Sequence, residues 1–600
     1  MKQSSEDSPG KNTFTDVKTF SVPFALEEIK ENINITTNSS SKLSQEQIIN
    51  QAIKLHLEGN IKEASKYYQY CLNQGFQDYR IFSNYGSILK GNNKLQEAEL
   101  MTRKAIELKP YIADAYNNLG NILRDLGKLK EAELMTRKTI ELKPDLAEAH
   151  NNLGNILRDL GKLKEAELMT RKAIELKPDL AEAHNNLGTI LNVLGKLKEA
   201  ELSTRKAIEL KPDFANAYSN VGSILRDLGR LQEAELVTRK AIELNHHCAE
   251  THANMGTILR DLGKLKEAEL SLLKAIELNH HCANAFFNLS FIELQKGDYQ
   301  SGLEHYEFRF KKQQPTIPHI NPSIKRVRNE KLTTREKLLV ISEQGFGDTL
   351  QYMRYIPYLR ELGLDVSFCP QLKLHSLIKT SRIDPNPLTP DQANKVSEGK
   401  WIPLLSLPRY LKVRPENPII SKPYIYSKDE LNKKWKHILS TENKPIIGIN
   451  WQGNPTAEKN YNKGRSLPLE TFSTLARNNN FKFLSLQKGF GSEQLDHCSF
   501  KNKFVDCQPE INDTWDFLEN AAIIKNCDLI ITSDTSIAHL AGGIGKSTWI
   551  LLKDCPEWRW GLEGERSFWY PSMRLFRQKE RDNWHEVMKR VSIELKKEIG

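Results

Sequence analysis

The sequence predicts an all-α superhelix of helix–turn–helix repeats, followed by an α/β domain of two lobes. In the first half, glycine, alanine and proline recur every 34 residues, which is the period of stacked helical pairs. From Lys337, apolar runs of five to seven residues alternate with amphipathic helices, and a second such series opens at Pro445. That alternation is typical of parallel sheets covered by helices.

The composition is that of a large globular protein. At 600 residues, with 39% hydrophobic and 27% charged residues, the chain is too long for one ordinary domain. No apolar run reaches the eighteen or so residues that span a bilayer, and no apolar segment follows the first residues as in a secretory signal. The eight cysteines show no CxxC spacing, so we expect reduced thiols and a cytoplasmic location.

The net charge of +10 is moderate for this length and permits phosphate or acidic partners. No basic block with interleaved aromatic residues is present, so we expect no nucleic-acid partner. The paired histidines at 246–247 and 280–281 occupy the turn between repeats, one pair in each unit. We interpret them as turn variants and expect no metal site.

The repeat array carries small residues at fixed positions on both helices of each unit, which lets paired backbones approach closely. The recurring residues are Gly120, Gly154, Gly188, Gly222 and Gly256, Ala132, Ala166, Ala200, Ala234 and Ala268, and Pro110, Pro144, Pro178 and Pro212. The array resembles the tetratricopeptide repeat in length and in all three positions. We predict about eight repeats over residues 43–316, the last serving as an adaptor or cap. Single units cannot bury their faces alone, so a stacked superhelix is implied.

One asparagine recurs on the first helix of each unit, on the wall that is concave in this repeat family. The column comprises Asn84, Asn118, Asn152, Asn186, Asn220, Asn254 and Asn288. Each amide offers a donor and an acceptor, so the column suits the backbone of an extended peptide. It resembles the asparagine ladder of protein O-linked N-acetylglucosamine transferases. The alternative is recent duplication, which copies every residue whether useful or not. Four arginines also recur, as a basic stripe or as a solvated face: Arg124, Arg158, Arg226 and Arg260.

Two segments are predicted to lie outside the folded domains. Residues 1–42 are rich in Ser, Asn, Thr and Lys, and we expect them to be disordered. Residues 317–335 carry prolines and scattered charge, and we interpret them as a linker. The first lobe then covers 336–430 and the second 443–600.

The α/β half carries motifs where its strands end. They are Gly347-Asp348, WQGN at 451–454, RSLP at 465–468, SLQKG at 485–489, SDTSIAH at 533–539, EWRW at 557–560 and WYP at 569–571. Together they resemble the heptosyltransferase-like glycosyltransferases of family 9. The resemblance covers roughly 336–600 and implies a GT-B architecture, in which two Rossmann-like lobes face each other across a cleft. It also implies a nucleotide-sugar as donor substrate, and no cofactor. No acidic DxD triplet is present, so a metal-independent mechanism is expected.

In the first lobe, Gly345 and Gly347 form a glycine loop ahead of a helix, and Asp348 follows them. The family uses its matching aspartate as general base, so the resemblance assigns Asp348 to the acceptor proton. A helix-capping role is the structural alternative, and both roles can coexist.

In the second lobe, the donor diphosphate is expected at the start of the helix that begins near Ser536, where backbone N–H groups bind anions. Thr535 and Ser536 add hydroxyls there, although the family often has glycine at position 536. Asp534 and His539 match family positions near the donor. Arg465 falls where the family has a lysine that neutralises the diphosphate, and Lys488 is a second candidate cation or a plain surface residue. We expect nucleobase or sugar stacking, or else core packing, for Trp451, Trp558 and Trp560.

The sequence therefore predicts a glycosyltransferase whose acceptor is a polypeptide held in the repeat groove. Two alternatives stay open: a non-catalytic scaffold with a degenerate transferase domain, and a transferase acting on a cell-envelope glycan.

Overall fold

A computed structural model describes residues 44–312, 315–455, 458 and 464–599. The segment 1–42, predicted to be disordered, lies outside the described residues. The described chain divides into two compact units. The first runs to Ile258 and includes Glu277–His281, and the second comprises Leu259–Ile276 and the chain from Cys282 onward.

The repeat region is all-helical, and its described helices follow one another across short turns. In chain order they are α1 Gln45–Leu57, α2 Ile61–Asn73, α3 Tyr79–Gly91, α4 Leu95–Leu108, α5 Ala113–Asp125, α6 Leu129–Leu142, α7 Ala147–Asp159, α8 Leu163–Leu176, α9 Ala181–Val193, α10 Leu197–Leu210, α11 Ala215–Leu228, α12 Leu231–Leu244, α13 Ala249–Asp261, α14 Leu265–Leu278, α15 Ala283–Lys296 and α16 Tyr299–Tyr306. A left-handed glycine, such as Gly195 at φ 78°, separates the two helices of most pairs.

The recurring glycine is the point of closest approach within each pair. A Cβ on Gly188 would lie 1.9 Å from Thr204 Oγ1 and 3.1 Å from the Ala200 carbonyl oxygen. Thr204 keeps its hydroxyl satisfied by donating to that same carbonyl at 2.9 Å. The small residues therefore set the spacing of the helical pair, as the sequence pattern indicated.

The last pair, α15 and α16, is part of the second unit. Gln295 donates from Nε2 to the Pro556 carbonyl at 2.6 Å, and the Tyr299 ring meets Trp558 edge-on with centroids 5.9 Å apart. Arg309, which follows α16, is fully buried and donates to Glu343 at 2.7 Å. The pair is thus joined to the α/β fold by apolar and charged contacts.

The first lobe is a parallel four-stranded sheet in the order β1-β4-β2-β3. Its strands are β1 Lys325–Arg326, β2 Lys337–Ile341, β3 Asp365–Cys369 and β4 Lys400–Pro403, and its helices are α17 Phe346–Tyr352, α18 Tyr355–Glu361, α19 His375–Thr380, α20 Pro390–Ala393 and α21 Leu407–Tyr410. The predicted linker 317–335 is corrected in part, because β1 lies inside it and pairs with β4. The helical segment after β2 is divided into α17 and α18, since Pro357 has no N–H for a helical bond.

The second lobe is a parallel five-stranded sheet in the order β6-β5-β7-β8-β9. Helix α22, Asp429–Leu439, precedes it. Its strands are β5 Ile446–Asn450, β6 Lys482–Ser485, β7 Leu529–Ser533, β8 Thr548–Leu552 and β9 Met573–Arg577, and its helices are α23 Ser473–Ala476, α24 Gln508–Asn512, α25 Phe517–Asn526, α26 Ser536–Ile544 and α27 Trp584–Ile599. The sequence pattern had not indicated β4 or β9. The second half is therefore α/β with two parallel sheets.

Among the described residues, no helix combines the length and hydropathy needed to cross a bilayer. Nor do His, Cys, Asp and Glu side chains converge there in a group that could hold a metal ion.

Candidate active site

A cavity of about 810 Å³ lies in the second unit, where β2, β5, β6 and β7 end. Because parallel strands point the same way, the loops after their carboxyl ends meet at one edge of each sheet. The cavity is lined by the predicted glycine loop, the predicted general base and the predicted donor-binding residues: Gly345, Gly347, Asp348, Arg465, Lys488, Asp534, Thr535, Ser536 and His539.

The glycine loop brings the first lobe against the start of α26. A Cβ on Gly347 would lie 2.9 Å from His539 Cδ2 and 3.6 Å from Ser536 Cα. The backbone of the glycine loop therefore approaches the start of α26 closely at Gly347, and a serine at position 536 is compatible with this contact. Any larger residue at 347 would push the two lobes apart at the cavity floor.

Asp348 is a capping residue and a member of an ion pair. Its Oδ2 accepts the Gly345 N–H at 3.0 Å, which fixes the start of α17. Its Oδ1 accepts from Nη2 of Arg559. Arg559 is itself held by Tyr352, whose hydroxyl accepts from its Nε at 3.2 Å. Both carboxylate oxygens of Asp348 thus have a protein donor.

Glu557 is a second carboxyl group on the cavity wall, and the sequence did not single it out as a site residue. One of its oxygens accepts the Arg559 N–H at 2.9 Å, and the other lies 3.7 Å from Arg559 Nη1. Burial raises the pKa of Glu557 to about 7, with Arg559 opposing the shift. The signal in the sequence was the EWRW motif, which follows β8 toward the same edge of the sheet.

The start of α26 is open toward the cavity. No side chain caps this helix, and Thr535, Ser536 and Ile537 line the cavity wall. Backbone N–H groups in a first turn lack partners within their own helix and carry partial positive charge. Asp534 precedes them, is 9% exposed and has no hydrogen bond to another described residue.

A buried amide network fixes the loops around that helix start. Thr535 donates from Oγ1 to Asn450 Oδ1 at 2.8 Å, and Asn450 donates from Nδ2 to Gln487 Oε1 at 2.9 Å. Gln487 Oε1 also accepts the backbone N–H of Trp451 and Gln452. The Thr535 hydroxyl proton is therefore committed to positioning these loops, and both Thr535 and Ser536 line the cavity. Sequence reasoning missed Asn450 and Gln487.

Arg465 lies flat against Gly453, where a Cβ would come within 2.5 Å of its Nη2. Its Nε is 3.3 Å from Glu458, which orients the guanidinium group. The side chain is 16% exposed, so a cation is held at the cavity with little freedom. Glycine at position 453 is needed for this arrangement.

Lys488 also lines the cavity, and its ammonium group donates to the Ile511 carbonyl. Burial lowers the pKa of Lys488 to about 8, with Asp513 opposing the shift. It is not a plain surface lysine.

His539 and the tryptophans proposed for stacking are core residues. His539 lies 3.0 Å from the Tyr570 hydroxyl through Nδ1 and stacks on Trp560 at 5.5 Å, and burial lowers its pKa well below the usual value. Trp451, Trp558 and Trp560 are 0–3% exposed, so the structure favours core packing over ligand stacking for all three.

The asparagine column makes bonds between repeats. Nδ2 of Asn152 donates to Asn117 Oδ1 at 2.9 Å, and Asn186 donates to Asn151 in the same way. The same bond recurs with these partners: Asn84 with Tyr68, Asn118 with Ser87, Asn220 with Asn185 and Asn254 with Ser219, while Asn288 accepts from Arg260 at 3.4 Å. The recurring arginines pair with aspartates, as Arg158 does with Asp159, so they do not make an uncompensated basic stripe.

Family models for the tetratricopeptide repeat match residues 101–133, 147–180, 181–214, 215–247 and 249–281. The chain therefore contains tetratricopeptide repeats. These matches fall within the all-helical half. A search of curated proteins gave no match.

Several solved structures are similar to part of the chain. The APC/C hetero-tetramer Cut9–Hcn1 matches with 17% identity and a TM-score of 0.37, covering 45% of this chain and 53% of that one. YrrB, described as a tetratricopeptide-repeat protein with an unusual peptide-binding site, matches with 28% identity and a TM-score of 0.25, covering 31% and 95%. A tetratricopeptide-repeat protein from Parabacteroides merdae matches with 18% identity and a TM-score of 0.36, covering 41% and 98%.

Proposed function

We propose that the second unit is a metal-independent glycosyltransferase of GT-B type that uses a nucleotide-sugar. The observation that carries this proposal is a cavity lined by an uncapped helix start, two cations and three carboxyl groups. The helix start is the first turn of α26, the cations are Arg465 and Lys488, and the carboxyl groups belong to Asp348, Asp534 and Glu557. The resemblance to family 9 glycosyltransferases supports the same assignment.

In this proposal the diphosphate of the donor binds at the first turn of α26. The N–H groups of Ser536 and Ile537 and the Ser536 hydroxyl are its neutral donors. Arg465 supplies a guanidinium group that can meet two phosphate oxygens at once, and Lys488 supplies an ammonium group. These charges stabilise the nucleoside diphosphate as it leaves, which is where negative charge develops during transfer.

The acceptor hydroxyl loses its proton to a carboxylate as the new glycosidic bond forms. We assign that proton to Asp348, in line with the family resemblance. Arg559 is within ion-pair distance of both Asp348 and Glu557, so its positive charge faces both carboxyl groups. The products are the glycosylated acceptor, the nucleoside diphosphate and a proton that returns to solvent.

The acceptor is proposed to be an extended polypeptide bound by the repeats. Stacked repeats present long surfaces suited to such ligands. Among the described residues, the second Nδ2 hydrogen and the Oδ1 of most ladder asparagines have no hydrogen-bond partner, so they can bind a ligand.

A scaffold without catalysis is the second candidate. The matched tetratricopeptide repeats favour it, because repeats of this kind bind proteins in the absence of any enzyme. The occupied oxygens of Asp348 are compatible with it as well.

Donor screening tests the proposal. The full chain is incubated with UDP-, GDP- and ADP-sugars, and nucleotide release is measured beside nucleotide binding by calorimetry. We expect release from one nucleotide class, with Arg465→Ala weakening binding at least ten-fold. Arg566→Ala, at a position outside the cavity lining, is the matched control. Absence of both release and binding would leave the scaffold.

A further inference from the structure

Two exposed aromatic side chains stand at one end of the cavity. Phe490 is 60% exposed and Trp515 is 62% exposed, and both belong to the cavity wall. Exposing rings of this size to water forgoes the free energy of burying them, so their position calls for a ligand or partner. By contrast, Trp451, Trp558 and Trp560, which pack in the core of this lobe, are only 0–3% exposed.

We propose that Phe490 and Trp515 form a stacking site for the nucleobase of the donor, with the amide oxygen of Asn520 reading its polar edge. This inference rests on the proposed function, because it takes the ligand of the adjoining anion site to be a nucleoside diphosphate.

The Phe490 ring is presented by a rigid loop. Gly489 and Gly491 flank it at φ 68° and 84°, a conformation that suits glycine. Gln487 donates from Nε2 to the Phe490 carbonyl at 2.6 Å, and Trp451 donates from Nε1 to the Gly491 carbonyl at 3.2 Å. The backbone of residues 490–491 is therefore held by hydrogen bonds, while the Phe490 ring is exposed to solvent. Gln487 also belongs to the network that reaches Thr535, which couples this loop to the helix start.

Trp515 borders the same loop from the segment before α25. A Cβ on Gly489 would lie 4.0 Å from Trp515 Cη2, so the indole edge reaches the glycine loop that presents Phe490. Planar rings with accessible faces bind any nucleobase by stacking, and discrimination between bases needs a polar partner.

Asn520 supplies such a partner. It is 6% exposed, and its Nδ2 donates to the carbonyls of Thr514 at 3.2 Å and Asp516 at 2.8 Å, which fixes the amide orientation. Its Oδ1 is buried on the cavity side of the lobe and has no donor among the described residues. A buried acceptor without a donor costs free energy that a base N–H would recover.

The spacing of the strands fits a nucleotide. The aromatic site follows β6, and the anion site follows β7, with β5 between them. Two strand intervals amount to about 10 Å. A nucleobase and a diphosphate separated by a ribose span a similar length, whereas inorganic diphosphate cannot reach both sites.

Calorimetry on the full chain tests the proposal with UDP, GDP, ADP and CDP and with inorganic pyrophosphate. We expect at least one nucleoside diphosphate to bind ten-fold or more tightly than pyrophosphate. Trp515→Ala and Phe490→Ala should each remove most of that difference and leave pyrophosphate binding unchanged. Trp515→Phe keeps an aromatic face for stacking and should retain the difference in affinity between the nucleoside diphosphate and pyrophosphate. Tyr426→Ala removes an exposed aromatic outside the cavity and is the control.

The outcomes separate this inference from the proposed function. Nucleoside diphosphates that bind with Arg465-dependent affinity, yet are unaffected by Trp515→Ala and Phe490→Ala, would overturn the aromatic site alone. Pyrophosphate binding as tightly as all four nucleotides would also overturn it. Absence of binding by nucleotides and pyrophosphate alike would overturn both proposals.

Discussion

At the scale of single residues, burial sets the charge of the candidate site. Lys488 and Glu557 face the same cavity, and desolvation weakens the charged form of each, lowering one pKa to about 8 and raising the other to about 7. Both groups therefore titrate near neutral pH, where ordinary lysine and glutamate side chains do not. Anion binding and proton transfer should depend on pH through these two residues.

The affinity for a nucleoside diphosphate should fall as pH rises through 8. Lys488 is protonated below that pKa and neutral above it, while phosphate ionisation is complete on the acidic side of this range. We expect Kd to rise several-fold between pH 7 and 9.5 in calorimetric titrations. Lys488→Arg should flatten the profile, and Lys488→Met should give weak binding at every pH. An unchanged profile in Lys488→Met would remove this lysine from the anion site.

Asp348 and Glu557 should differ in their effects on transfer. If Asp348 takes the acceptor proton, Asp348→Asn should lower kcat by about 10²-fold or more, with nucleotide Kd within two-fold of the original. Glu557→Gln should retain activity within about ten-fold and lose an inflection near pH 7 in the kcat profile. Steady-state rates from pH 5.5 to 9 measure both. The reverse pattern would assign the base to Glu557.

At the scale of elements, close backbone approach positions the parts that side chains then use. The helical pairs depend on glycine facing threonine, and the cavity floor depends on Gly347 facing α26. In each case a missing Cβ on one element makes room for a specific group on the next. These contacts allow little adjustment, because the facing atoms include backbone.

Gly188→Ala should loosen the α9–α10 pair. Its Cβ would clash with Thr204 Oγ1 and crowd the Ala200 carbonyl, and overpacking of this kind costs about 1–3 kcal/mol. Hydrogen–deuterium exchange over 181–210 should speed up accordingly. Adding Thr204→Ala removes the nearest obstacle and should restore much of the protection. Loss of equal size in the single and double variants would place the cause elsewhere.

At the scale of the whole molecule, the repeats are proposed to bind the acceptor, and the α/β unit is proposed to catalyse the sugar transfer. The ladder asparagines have a structural task as well, since all of them except Asn288 donate to the preceding repeat. Substituting a ladder residue alone would remove both its proposed peptide contact and its hydrogen bond to the preceding repeat, so the two effects could not be told apart. Their bonding partners, Asn117, Asn151 and Asn185, offer a matched control.

Replacing ladder residues Asn152, Asn186 and Asn220 with alanine should abolish capture of extended peptides on an array of 15-residue peptides. Nucleotide release should persist, because it depends on the second unit. The control Asn117→Ala, Asn151→Ala and Asn185→Ala breaks the same inter-repeat bonds and keeps the ladder amides. It should retain peptide capture. Equal loss in both triple variants would make the ladder structural.

The sequence by itself determined the repeat period, the α/β alternation and the segments that border the cavity. These depend on local patterns, since helical and strand periodicities are properties of neighbouring residues, and strand carboxyl ends meet wherever strands are parallel. For that reason Asp348 could be placed at the carboxyl edge of the first sheet, and Arg465 and the 534–539 segment at the carboxyl edge of the second.

Tertiary structure decided which side chains meet and which are buried. Arg559 reaches Asp348 across 211 residues of sequence, and no local pattern encodes that pairing. Burial likewise separated Trp451, which lies in the core, from Trp515, which faces solvent. Which residues pair and which are buried depends on packing between elements that are distant in sequence. The free-energy cost of an unpaired buried charge or of a cavity arises only once those elements pack together.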